Sequence, residues 1–168
     1  MSAVASYFAD AGARLADLGR TQGAAIDATA ALGAAAILDR RPIHIFDTGH
    51  LISHEFIART GGLVAYTALS FGATLDGGNE RVAAERHRID ASGERSTRLL
   101  VEWVFEQGTI LPGDLLILSS VSGTNMLVVE LATQARERGV NVVAVTGVTS
   151  SISPAGRIGQ TGTSPPAR

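Results

Sequence analysis

A chain of 168 residues, 45% hydrophobic and 18% charged, has the length of one domain and the composition of a packed core. Its formal net charge of −2 gives no electrostatic footprint for nucleic acid, and the lack of cysteine excludes disulfides, thiolate catalysis and thiolate metal ligation. No uninterrupted apolar run approaches the roughly 20 residues that span a bilayer, and the first ten residues lack the basic region of a signal peptide. A cytoplasmic protein with no membrane partner is therefore expected.

Residues 2–38 predict helix, rich in alanine, with Val4, Phe8, Leu15, Leu18, Ile26, Leu32, Ile37 and Leu38 as apolar positions. Gly19 and Gly23 are points where it could divide in two. Pro42 cannot continue a helix, so the helix stops before it. Residues 43–46 form a short apolar strand. A polar turn, Asp47-Thr48-Gly49-His50, leads to a helix expected over 53–59, with Gly61-Gly62 as its C-cap. A second strand is expected over 63–69. Asp76-Gly77-Gly78-Asn79 is a turn cluster, and residues 80–88 mix acids with Arg and His as an exposed helix or loop.

Helix is predicted over 97–106, ending at Gly108. Leu111-Pro112-Gly113-Asp114 is a tight turn into a third strand. That strand, Leu115-Leu116-Ile117-Leu118, is a continuous apolar run, as expected where both faces of a parallel sheet are covered. A hydroxyl-rich turn follows, then a helix over 126–138 that should turn Met126, Val129, Leu131 and Ala135 inward. Gly139 ends it, and 140–145 is the fourth strand. Alternating strands and helices predict a parallel sheet with right-handed crossovers. After Val148 the chain turns to Ser, Thr, Gly, Pro, Ala and Arg, with Ile152 and Ile158 as its last large apolar residues. Such a segment cannot form a buried fifth strand, so 149–168 reads as a disordered or aberrant tail. Truncation or a frameshift near Ser150 is the leading explanation, and a natural short form is the alternative.

The turn after the third strand is the most informative stretch. Ser120, Ser122 and Thr124, with the backbone N–H groups of Gly123 to Asn125, surround a helix N-terminus, where partial positive charge favours an anion such as phosphate. The competing reading is capping, in which the same side chains only satisfy orphan N–H groups. Asn125 is expected to cap the helix, and Ser119 to end the strand facing inward. The earlier turn offers Thr48, Gly49 and Ser53 as further ligand contacts. Two such turns at carboxyl ends of strands suggest one crevice, because open α/β sheets bind ligands where strand order reverses.

Ser120-x-Ser122-Gly123-Thr124 after an apolar strand, with the earlier Thr48-Gly49-His50 turn, resembles the SIS (sugar isomerase) domain family. Within it, the chain is most similar to a small single-domain, phosphosugar-binding branch of bacterial proteins of uncharacterised function. That branch has a G-T-G-H-S-H loop and a following R-A-G-G, against Asp47-Thr48-Gly49-His50 and Arg59-Thr60-Gly61-Gly62 in this chain. The resemblance covers roughly residues 1–148, read as one phosphosugar-binding domain with 1–38 as its N-terminal helical segment. It implies a flavodoxin-like three-layer sandwich, α/β, with strand order 2-1-3-4 and a fifth strand beyond. It also implies a phosphosugar ligand and a homo-oligomer in which the N-terminal helical segment packs on a partner subunit; the alternative for that segment is a helix on the chain's own sheet. Three departures stand out. Asp47 replaces the usual first glycine, Leu51 lies where a serine is frequent, and the tail lacks the next helix and strand.

Aldose–ketose isomerisation needs a base that moves a proton between adjacent carbons. His50, His54 and Glu55 are the acid/base candidates, since histidine titrates near neutrality and burial can raise a glutamate. Each also has a plain reading. His50 would only bond the loop backbone, and His54 and Glu55 would be solvated residues of a first helical turn. Adjacent His54 and Glu55 point about 100° apart on a helix, which is awkward for a shared metal, so neither metal nor cofactor is expected. His87 lies in the variable segment with no spacing that demands a role. The expected function is binding of a phosphorylated sugar, with isomerisation as the reaction such a site would support. The alternative is a non-catalytic sensing or scaffolding module.

Overall fold

A computed structural model describes residues 2–48, 53–57, 59–71 and 80–147. The first element, α1, is Ala3–Leu38, one unbroken helix of 36 residues. It is about 54 Å long at 1.5 Å per residue. Ser2 caps it, its hydroxyl accepting from the Ala5 N–H. Gly19 and Gly23 do not divide it. A glycine costs only about 1 kcal/mol in a helix interior, and the alanines around it are the best helix formers. Arg40 takes a left-handed φ of 55°, and the Arg41 N–H bonds back to Ala36, so the helix turns off two residues before Pro42.

By length and composition α1 also qualifies as a candidate membrane span, which a search for uninterrupted apolar runs does not register. Asp10, Arg14, Asp17, Arg20 and Asp27 interrupt it, and Leu32 and Ala36 pack on the sheet.

Four parallel strands follow: β1 Ile43–Asp47, β2 Tyr66–Ala68, β3 Leu115–Ser120 and β4 Asn141–Thr146. Their order is β2-β1-β3-β4, as the family resemblance implied. β2 is shorter than expected. Leu63 and Val64 are 52% and 100% exposed, so apolar character there does not reflect burial in a strand. Among the described residues β4 pairs only with β3. The expectations for a missing fifth strand and a disordered tail fall outside the described residues.

The sheet separates two cores. Phe46, Leu116 and Leu118 face α3, Glu94–Glu106, and α4, Met126–Glu137, through Val101, Val104, Phe105, Val128, Leu131 and Ala135. Ile43, Ile45, Leu115 and Ile117 face the other way, against Leu32 and Ala36 of α1 and against Ile57. The result is a three-layer α/β sandwich.

Local differences from expectation have local causes. α3 starts three residues early because the Asp90 carboxylate accepts from the N–H groups of Ser96 at 2.7 Å and Arg95 at 3.4 Å. The segment 80–88 is an exposed helix, α2 Glu80–Ile89, with a Glu85–Arg88 pair. The helix expected over 53–59 is a single π-helical turn, Ser53–Ile57. It is followed closely by Gly62, where a Cβ would lie 2.8 Å from the Phe56 carbonyl oxygen, so this turn requires the glycine of the Arg59-Thr60-Gly61-Gly62 motif.

α4 is rotated from the expected face. Val128, Leu131, Ala132, Gln134 and Ala135 are buried, while Met126 is 42% exposed and Val129 half-buried. Gln134 earns an inward place because its amide donates to the Arg98 carbonyl of α3 and to Glu130.

Candidate functional site

The carboxyl ends of β1 and β3 lie side by side, with Asp47 in register with Ser119. From there the chain leaves β3 through the turn to α4. Ser120, not Ser119, is the inward serine: it is 3% exposed, while Ser119 is half-buried. The Ser120 hydroxyl accepts from the Gly123 N–H at 3.3 Å and so braces the turn from beneath. Gly123 is left-handed, with φ 66°, and a Cβ there would lie 3.4 Å from Thr146 at the end of β4. The Gly147 N–H bonds the Val121 carbonyl at 3.1 Å. β4 thus buttresses the turn through Thr146 and Gly147, two residues with no distinguishing signal in the sequence.

The outer rim of the turn is differently engaged. The Ser122 hydroxyl accepts from the Thr124 N–H at 3.3 Å and from the Thr124 hydroxyl at 3.0 Å. Asn125 caps α4, its side-chain oxygen accepting from the N–H groups of Leu127 at 3.0 Å and Val128 at 3.3 Å. Nothing among the described residues accepts from the N–H of Asn125 or Met126. Capping and anion binding are therefore compatible. Asn125 satisfies two donors, and two more, with the Ser122 hydroxyl proton, stay available beside an exposed Thr124.

Of the early turn, Thr48 is half-buried directly after β1. Gly49 and His50, and the side chains of Ser53 and His54, lie outside what the structure describes. Glu55 is exposed, and its carboxylate accepts from Arg59 at 3.0 Å, four residues on. Such a surface pair contributes roughly 0–1 kcal/mol. His87 is exposed on α2. Among the described residues no three His, Asp or Glu side chains are grouped to hold a metal ion.

A polar cluster that sequence reading did not single out lies at the opposite, amino ends of the same strands. His44 and Asp114 are each 2% exposed. The His44 Nε2 lies 3.5 Å from the Asp114 carboxylate, close enough for electrostatic attraction but too long for a good hydrogen bond, and neither ring nitrogen has a hydrogen-bond partner. Burial lowers the His44 pKa, with the Asp114 charge pulling the other way. Asp114 accepts from the Leu111 N–H at 2.8 Å, and Arg41 reaches it at 3.5 Å while donating to the Pro112 carbonyl at 2.9 Å. The one sequence signal was a histidine inside an apolar strand.

Comparison with known proteins agrees with this architecture. The family model for the SIS domain matches residues 6–147. A UPF0309 protein of Brucella anthropi is 35% identical over 148 residues, covering 86% of this chain and 57% of that protein. A UPF0309 protein of Brucella ovis is 31% identical over 147 residues, with the same coverage of 86% and 57%. The chain therefore spans little more than half the length of these relatives. Among solved structures, the phosphoheptose isomerase of Neisseria gonorrhoeae superposes with a TM-score of 0.61 at 20% identity, covering 89% of this chain and 76% of that one, a likeness of fold. On the family match and the Brucella relatives, this chain belongs to the SIS domain family.

Proposed function

We propose that the chain binds a phosphorylated sugar at the carboxyl ends of β1 and β3. The phosphate lies on the β3–α4 turn, held by the Ser122 and Thr124 hydroxyls and the N–H groups of Asn125 and Met126. Ser120 and Gly123 keep the turn in shape. Thr48, Gly49 and Ser53 are the candidate sugar contacts, and His50, with His54 and Glu55, is the acid/base candidate for an aldose–ketose isomerisation. The observation that carries this reading is the pair of unaccepted N–H groups at a helix N-terminus, surrounded by neutral hydroxyls. A cytoplasmic setting suits a cysteine-free chain.

The direct test is a thermal-shift titration with hexose and heptose phosphates, since a ligand bound only by the folded state raises Tm. A dose-dependent rise with sugar phosphates, absent with the free sugars, supports the reading. Absence of any rise at millimolar ligand refutes it.

A second reading, a sensing or scaffolding module, is favoured by one observation: Glu55 is exposed and engaged by Arg59. Incubation with an aldose phosphate, followed by NMR for the ketose, separates the two. Binding without conversion is the outcome for a sensor.

We also propose a homo-oligomer, a dimer or dimer of dimers, assembled through α1. Phe8 and Leu15 are 68% and 70% exposed, and Leu18, Ile26 and Ala30 border an apolar groove against Val143 and Val145 of β4. A second copy is the occupant that carries a matching apolar helix in the same molecule. A monomeric mass by light scattering at micromolar concentration would exclude it.

A further inference from the structure

We propose that Phe8 of a second copy fills the groove between α1 and β4 and sets the β3–α4 turn through Thr146, so that assembly and phosphosugar binding are linked. The inference rests on the phosphate reading of the turn and on assembly through α1, and it joins them through one strand. β4 buttresses the turn: a Cβ on Gly123 would lie 3.4 Å from the Thr146 side chain, and the Gly147 N–H bonds the Val121 carbonyl. Yet β4 is itself poorly covered. None of its six residues is buried, against five of six in β3, and Val145 is 49% exposed. It borders a groove of about 430 Å³, lined by Leu18, Gln22, Ala25 and Ile26 of α1 and by Val143 to Thr146. Thr146 therefore belongs both to the groove and to the support of the turn.

The charge pattern of α1 points to the occupant. From Ala3 to Thr21 no residue of the helix is buried. At about 100° per residue, Val4, Phe8, Ala11, Leu15, Leu18 and Ile26 share an arc of about 80°. The charged residues of α1, Asp10, Arg14, Asp17, Arg20 and Asp27, all lie outside it. A second α1 laid antiparallel about a two-fold axis at Leu15 covers this arc in a closed pair. That register sets Phe8 of the second copy opposite Gln22, and its Val4 opposite Ile26, along the groove. Leu18 meets Gly12 of the second copy, where a Cβ would have nothing within 4 Å. Arg14 has no ion-pair partner among the described residues, and it comes level with Asp17 of the second copy on the same flank. Symmetry makes that pairing twice. Phe8 of the second copy then closes the groove over Val145 and Thr146. Thr146 in turn holds Gly123 at its left-handed φ of 66°. Phe8 and Thr146 are positioning residues, acting on the phosphate only through the turn.

The test measures light scattering and equilibrium dialysis with fructose 6-phosphate on the full chain at several protein concentrations, for the parent, Phe8→Glu and Thr146→Ser. Parent affinity should rise about tenfold from the monomeric to the dimeric range. The ligand should tighten the dimer by the same factor, because linkage is reciprocal. Phe8→Glu alters an exposed position remote in sequence from the turn. It should be monomeric and should bind weakly at every concentration. Thr146→Ser removes the methyl beside Gly123 and should stay dimeric while its affinity ceases to follow protein concentration. Circular dichroism checks folding, and Phe8→Ala or Thr146→Ala replaces a variant that fails it. Three results overturn the proposal: a Phe8→Glu variant that stays dimeric, a monomeric one that binds as tightly as the dimeric parent, or a Thr146→Ser variant that keeps the full dependence. A parent monomeric with and without ligand removes assembly through α1, and this inference with it. A dimeric parent that binds no sugar phosphate removes the phosphate reading instead, a separate failure with the same consequence here.

Discussion

The two ends of the β1–β3 pair treat polar groups in opposite ways. At the amino ends Asp114 and His44 are buried, and Asp114 engages the Leu111 N–H and the exposed Arg41. At the carboxyl ends Ser122, Thr124 and the N–H groups of Asn125 and Met126 stay at the rim with bonding capacity left. The same strands therefore have a sealed end that holds them and an open end, the proposed phosphate site, whose polar groups keep bonding capacity. Replacements at the sealed end should change stability, and those at the open end should change binding.

Asp114→Ala is expected to have the largest effect. It leaves the Leu111 N–H without its acceptor and removes the charge opposite His44 and Arg41. Loss of buried, charge-assisted bonding of this kind costs about 3 kcal/mol. Urea denaturation should show that loss, while any sugar-phosphate affinity of the folded fraction stays near the parent value. A loss of affinity without a loss of stability would reverse the assignment of the two ends.

The paired change Ser122→Ala with Thr124→Val tests the open end. Each removed hydroxyl should weaken phosphate binding by about 1–3 kcal/mol, as for hydrogen bonds to a charged group. Folding stability should fall by less than about 1 kcal/mol, because Thr124 is exposed and Ser122 half-buried. Asn125→Ala lies between the two ends in kind. It removes the cap on Leu127 and Val128 and should cost about 1 kcal/mol of stability. Denaturation midpoints of both variants, beside ligand titrations, rank the effects.

Much of this contrast was legible in the sequence. Apolar runs marked β1 and β3, and the clustered hydroxyls marked the open end. The sealed end was not legible, because His44 and Asp114 meet only through the pairing of strands some seventy residues apart. Nor could the sequence tell which serine faces inward. A strand apolar at every position, Leu115 through Leu118, carries no alternation to set the phase of Ser119 and Ser120. The face of α4 was hidden for a related reason. A buried glutamine belongs to no apolar stripe, and its place depends on a carbonyl of α3. β2 misled because Leu63 and Val64 are apolar yet exposed.

The finest test of the sealed end is its pH dependence. His44 titrates below the ordinary histidine value near 6.5, because burial disfavours the imidazolium, and the Asp114 charge offsets only part of that. With the folded pKa below the unfolded one, the unfolded chain binds more protons between the two values, so stability rises with pH across that window. The contribution is fully present above about 6.5 and is lost as pH falls toward the folded pKa. Unfolding free energy measured by urea between pH 7.5 and 5.5 should therefore fall in the parent. In His44→Phe that slope should flatten, since a ring of similar size keeps the core filled without titrating. The effect should be smaller than removal of Asp114, because attraction to that carboxylate cancels part of the burial penalty. An unchanged slope in His44→Phe would mean that His44 already shares its proton with Asp114 in the folded state.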